Sequence, residues 1–168
     1  MGFDTPFEML EACHERVQRT LALLQRLREH LLATGCDASA QSAARDVLRY
    51  FDIAAPLHHE DEERHVFPAL QASQEPGIQA AVARLQADHV AMAGRWALAR
   101  AALLALAEGR ITEFSVAQEA ALAAFAAGYA EHIGLEENLV YPAARAAMSA
   151  VALEAMAQDM KKRRGAPT

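Results

Sequence analysis

The chain contains an internal repeat that constrains both its secondary structure and its symmetry. Residues 58–68 read HHEDEERHVFP and residues 132–142 read HIGLEENLVYP, so both satisfy H-x3-E-E-x2-V-[FY]-P at an offset of 74. With 15 glutamates and seven histidines in 168 residues, chance gives roughly 0.6 His-x3-Glu pairs. Three occur: His58/Glu62, His59/Glu63 and His132/Glu136. Residues four apart are neighbours on one helix face, so His58/Glu62 and His132/Glu136 each offer an imidazole nitrogen and a carboxylate to one point in space. His14 and His89 stand 75 residues apart, nearly the same offset, and the whole pattern reads as a duplicated helical hairpin.

Breakers recur at intervals that suit this reading. Thr34-Gly35-Cys36-Asp37, Gln74-Glu75-Pro76-Gly77 and Glu108-Gly109-Arg110 read as turns. They leave helices near 5–33, 39–73, 77–108 and 112–146, and a shorter piece comes after them near 149–161. The 40 alanines and 19 leucines outweigh the 17 valines, isoleucines and threonines, so the chain is short of the residues that favour sheets. The expected fold is all-α, an up-down-up-down four-helix bundle over residues 1–148 with a short C-terminal helix and basic tail in 149–168. An apolar content of 53% over this length supplies one core. Leu10, Val17, Leu21, Leu24, Leu27 and Leu31 form a buried stripe on the first helix. Pro56 should kink the second helix, and Pro68 and Pro142 either bend or end theirs or let helix continue beyond them.

Charge and hydropathy remove several classes of partner. A net charge of -6 excludes a broad nucleic-acid surface. The basic run Lys161-Lys162-Arg163-Arg164 reads as a solvated tail or a contact for an acidic partner. No uncharged apolar stretch of about 18 residues exists. Met1 is followed by Asp4, Glu8 and Glu11 rather than by a basic region and an apolar core, so neither a membrane partner nor a signal peptide is expected. Cys13 and Cys36 fall in different elements, which fits reduced thiols in a cytoplasmic protein.

Antiparallel neighbours meet at positions equidistant from their turn, and this gives a test of register. The midpoints of His14/His58, Glu62/His89 and His89/His132 are 36, 75.5 and 110.5, all inside the expected turns. The four histidines therefore share one level, about 33 Å from the turns, with Glu62 and Glu136 beside them. Buried glutamates are costly without a counter-charge, and no lysine or arginine stands on the inward stripe near either. A cation is the natural partner. Bridging carboxylates with two histidines per metal suit a pair of iron ions, and the same donors accept zinc or manganese. His59 and Glu63 lie about 100° around the helix, facing another helix edge or solvent, the alternative being a register in which they replace His58 and Glu62; His30 and His65 read as surface residues. Trp96 and Tyr129 point along the inward stripe as core packing. Ala93 and Gly128 remove bulk beside the second metal, leaving room for a small ligand or allowing close helix packing.

The His14, His58-x3-Glu62, His89, His132-x3-Glu136 order, with E-E-x2-V-[FY]-P after each paired histidine, resembles the bacterial hemerythrin-like proteins of the HHE cation-binding domain family over nearly the whole chain. The resemblance implies a four-helix bundle around a non-haem, oxo-bridged di-iron centre, and it selects iron over zinc or manganese. It also implies that Glu62 and Glu136 bridge the metals, with His14 and His58 on one iron and His89 and His132 on the other. Oxygen-carrying members have a further histidine where this chain has Ala93, which points away from reversible oxygen carriage. The expected function is engagement of dioxygen, nitric oxide or peroxide, in sensing, detoxification or iron-centre repair. The other reading is metal storage, or a structural interaction module in which these side chains only bond one another.

Overall fold

The computed structural model describes residues 5–165, which are helical and carry no strand among the described residues. The helices are α1 (Pro6–Thr34), α2 (Ala38–Arg49), α3 (Ala55–Asp61), α4 (Phe67–Ala69), α5 (Ile78–Ala107), α6 (Val116–Ala127), α7 (Ala130–Leu135), α8 (Tyr141–Ala147) and α9 (Ala150–Arg163). The all-α expectation holds. Asp37 caps α2 by accepting from the Ala40 amide, and Ser115 and Gln118 close a capping box on α6. Gly35 and Gly109, at φ 84° and 73°, end α1 and α5 in the left-handed conformation that side chains disfavour.

Two details differ from the sequence expectation. The fourth helix starts at Val116 rather than near 112, where the capping box places it, and it is interrupted at Gly128–Tyr129. The prolines also act differently. Each of three π-helical turns, Tyr50–Ala54, Glu62–Val66 and Glu136–Val140, ends two residues before a proline. In each, the residue before the proline donates its N–H five positions back: Ala55 to Tyr50, Phe67 to Glu62, Tyr141 to Glu136. A proline has no N–H, and its ring crowds the carbonyl four residues earlier. The wider turn relieves that conflict. Helix therefore runs on past Pro56 to Asp61 and past Pro142 to Ala147, and stops soon after Pro68 at Ala69.

The helices divide into two compact units. The first holds residues up to His14, Pro56–His89 and those from Ala130 onward; the second holds Glu15–Ala55 and Val90–Tyr129. Within the first unit Phe7, Leu10, Val66, Phe67, Leu70, Ile78, Leu85, Val140, Tyr141, Met156 and Met160 form one buried cluster. In the second unit Phe51, Trp96, Phe125 and Tyr129 pack with ring centroids 4.8–5.8 Å apart. Trp96 donates its indole N–H to Asp52 at 2.9 Å, so packing and one hydrogen bond account for it. A Cβ added to Gly128 would lie 3.1 Å from the guanidinium of Arg95, an exposed side chain.

By length and composition α5 could cross a membrane, with an 18-residue window of mean hydropathy 1.4. The uncharged run sought in the sequence is absent because Asp88, Arg95 and Arg100 interrupt it. In the first unit this helix buries Ile78, Ala81, Val82 and Leu85 in the core.

The basic run is not a solvated tail. Arg163 and Arg164, at the end of α9, both pair with Asp61, which is fully buried; Arg164 Nη2 reaches it at 2.6 Å. Arg163 also donates to Asp159 at 3.0 Å, and the same carboxylate accepts from His65 at 2.6 Å. His65 is thus half-buried and bonded. His30, the other histidine read as a surface residue, bonds Asp37 at 2.9 Å. The last residues of the tail, 166–168, lie outside the described residues. Replacing both Arg163 and Arg164 by alanine strands a buried carboxylate and should cost about 3–5 kcal/mol in urea unfolding. Adding Asp61→Asn to that variant should recover most of the loss.

Candidate metal centre

All six side chains singled out by the repeat lie in the first unit, and the fold brings them together. His14 comes from α1, His58 from α3, His89 from α5 and His132 from α7, while Glu62 and Glu136 each open a π-helical turn. His14, His58, Glu62, His132 and Glu136 are buried, and His89 has a side-chain exposure of 9%. Two groups of donor atoms form, His14/His58/Glu136 and Glu62/His89/His132/Glu136, each with its atoms within 4.8 Å of one another. Glu136 divides its oxygens between them. Its Oε2 lies 2.8 Å from His14 Nε2 and its Oε1 2.7 Å from His132 Nε2. Glu62 Oε1 lies 3.2 Å from His58 Nε2 and 3.7 Å from His89 Nε2. The Nε2 atoms of His14 and His58 face one another at 3.1 Å.

The outward nitrogens are tied down. His14 Nδ1–H donates to Glu137 at 2.8 Å, His89 Nδ1–H to Glu63 at 2.9 Å, and His132 Nδ1–H to Asp88 at 3.0 Å. Each bond holds its ring with Nε2 facing inward. The arrangement is reciprocal: the second glutamate of each repeat serves the lone histidine of the other half. Sequence reasoning passed over Glu137 and Asp88 and left Glu63 unassigned, although the paired E-E of the shared frame marks two of them. It also missed Tyr141, the aromatic of that frame. Its hydroxyl is 3.1 Å from Glu62 Oε2, 3.3 Å from Glu136 Oε2 and 3.3 Å from His14 Nε2. His59 turns to a helix edge rather than to solvent. Its ring stacks on His89, centroids 4.1 Å apart, because successive residues on α3 face different neighbours: His58 faces His14 and His59 faces His89.

The electrostatics are those of a cavity short of positive charge. Burial, and after it the charge of Glu136, raises Glu62 well above the ordinary carboxylate range. Burial acts the same way on Glu136, but hydrogen bonds with Glu62, His132 and His14 outweigh it and hold that carboxyl well below the range. His14 and His132 are raised: burial lowers them, but their bonds to Glu136 win. His58 is driven well down by burial and by His14. His59 falls to about 3 and His89 to about 4, by burial and then by the neighbouring imidazoles His89 and His132 respectively. Burial and the two carboxylates push the Tyr141 phenol well up, so it keeps its proton. Glu62 Oε1, Glu136 Oε1, His89 Nε2 and His132 Nε2 are buried and make no well-aligned hydrogen bond among the described residues, although Glu136 Oε1 and His132 Nε2 face one another at 2.7 Å. Buried polar atoms are rarely left this way. A cation meets all four, so the donors present fit a metal.

A helical bundle that buries imidazoles and carboxylates around such atoms is a metal-binding protein. Residues 5–144 match the family model of the hemerythrin HHE cation binding domain. The chain is also similar to an uncharacterized protein of Haemophilus influenzae, at 33% identity over 162 residues, covering 96% of this chain and 91% of that protein. It belongs to the hemerythrin HHE cation-binding family.

Without a metal, Glu62 works against the fold. Its folded pKa lies above its unfolded one, so its contribution is complete at pH below the ordinary value of 4.5 and fades as pH rises towards the raised value. An amide does not titrate. Metal-free Glu62→Gln should therefore be more stable than the parent at pH 7, by about 1–3 kcal/mol, with the gap widening from pH 4.5 upward in urea melts. A variant less stable than the parent at pH 7 would contradict this account of the pair.

Proposed function

We propose that the chain holds a pair of iron ions and engages a small oxidant or ligand, dioxygen, nitric oxide or peroxide, in sensing, detoxification or iron-centre repair. His14 and His58 would hold one ion and His89 and His132 the other, with Glu62 and Glu136 spanning both. The observation that carries this reading is the division of Glu136, whose two oxygens serve two separate imidazole pairs. The same donors accept zinc or manganese, and likeness to the hemerythrin family favours iron. When bound, a di-iron centre supplies an electron reservoir and a Lewis acid that accepts small ligands.

The chain's own residues do the rest. Glu137, Glu63 and Asp88 hold three imidazoles with Nε2 inward. A cation competes with protons for the imidazole nitrogens and carboxylate oxygens, so its uptake strengthens as pH rises. Tyr141 keeps a hydroxyl proton between the two carboxylates. Phe7 packs edge-on against that phenol at 5.6 Å, and Phe67 lies against His89 at 5.7 Å, so these rings shield the donors from water. Neither Cys13 nor Cys36 is in a disulfide, in keeping with the reducing cytoplasm in which we place the protein. The acidic net charge suits a small-molecule partner rather than nucleic acid.

Protein produced without a histidine tag and loaded with iron should contain two irons per chain by metal analysis and absorb in the near ultraviolet once oxidised. His58→Ala or Glu136→Ala should lower the iron content sharply. Well under one iron per loaded chain, or unchanged content in both variants, would favour the structural module instead. Peroxide decay or transfer of ferrous iron to an apo acceptor separates turnover from simple occupancy.

A further inference from the structure

One histidine at the centre is left without a role by the six-residue set. His59 comes directly after His58 on α3, and its ligating nitrogen, with those of His89 and His132, forms a third group of donors within 4.8 Å of one another. The His59 ring is 4.1 Å from that of His89 at an interplanar angle of 19°, and 6.0 Å from that of His132. The internal repeat shows how unusual this is. At the offset of 74, the counterpart of His59 is Ile133, a buried apolar residue with 5% exposure. One half of the duplication thus carries an imidazole at a position where the other half packs a hydrocarbon. His59 is partly buried, and among the described residues no hydrogen bond reaches it. Its neighbours are two other imidazoles, and three imidazoles gathered without donors between them suit a transition-metal ion.

We propose that His59 is a metal ligand, the third imidazole beside His89 and His132 on that side of the centre. This rests on the reading of the chain as a two-metal protein. The two halves of the duplicated site then differ. The His14/His58 side has two imidazoles and the Tyr141 hydroxyl, which is 3.3 Å from His14 Nε2. The other side has three imidazoles. Metal ions should accordingly load in two distinguishable steps rather than as an equal pair.

The test is an anaerobic titration of the full-length metal-free chain with ferrous iron alone, and then cobalt(II) loading read by visible absorption. His59→Phe keeps a flat ring to stack on His89 and removes the nitrogen, while His59→Gln is the substitute should the phenylalanine variant fail to fold by circular dichroism. Expected are two irons in the parent, and in the variant one iron bound as before with the other weakened at least about tenfold. The ligand-field absorption of one of the two cobalt ions should change as well. Parent-like binding of both irons and an unaltered cobalt spectrum in His59→Phe would overturn the assignment alone and make His59 a packing residue. A parent chain that takes up no second iron would overturn the di-iron reading, and this assignment with it.

Discussion

Two carboxylates set in an apolar interior govern the first unit. Glu62 and Glu136 are fully buried, and among the described residues no lysine or arginine pairs with either. They are surrounded by imidazole, a base that accepts a proton or a metal. Burial raises one carboxyl well above the ordinary range, while hydrogen bonds with Glu62 and the histidines hold the other well below it. The neighbouring polar atoms make sense only with this in view. Glu63, Glu137 and Asp88 orient imidazoles, and the tyrosine hydroxyl occupies the remaining oxygens. Buried polar groups of this density are tolerated when each is met, and destabilising when one is not.

The backbone around these carboxylates is also unusual. The glutamates begin the second and third π-helical turns, and a proline stands two residues beyond the end of each turn. A π-turn adds a residue without advancing the helix by a full step, so it shifts the phase of the helix on its C-terminal side against that on its N-terminal side. Each His-x3-Glu pair ends where the shift begins, and the valine, aromatic and proline come at its end or after it. Both can thus face the same interior. The E-E-x2-V-[FY]-P frame reads as one device, with carboxylate, wider turn and packing residue in fixed order.

Much of this was legible in the sequence because it depends on spacing. Helix content came from alanine, leucine and the spacing of breakers, and the convergence of His14, His58, His89 and His132 came from midpoints that fell in turns. The features that sequence could not show depend on atoms that spacing does not place. The π-turns resolve a clash between a proline ring and one carbonyl, which a periodicity of 3.6 averages away. The pairing of Arg163 and Arg164 with Asp61 joins residues about a hundred positions apart, and the roles of Glu137 and Asp88 need to know which neighbouring helix each faces. His59 lay one step off the expected stripe, and only the neighbouring helix gives it a partner.

The make-up of the first unit bears on how the protein is born. Its pieces are the N-terminal turns of α1, a central span and everything from Ala130 on. A ribosome that has made two thirds of the 168-residue chain has produced His14, His58, Glu62 and His89 but neither His132 nor Glu136, and α9 emerges later still with the arginines that neutralise Asp61. Folding of this unit must therefore await synthesis through α9, and metal capture belongs to a polypeptide already made that far rather than to its shorter nascent lengths.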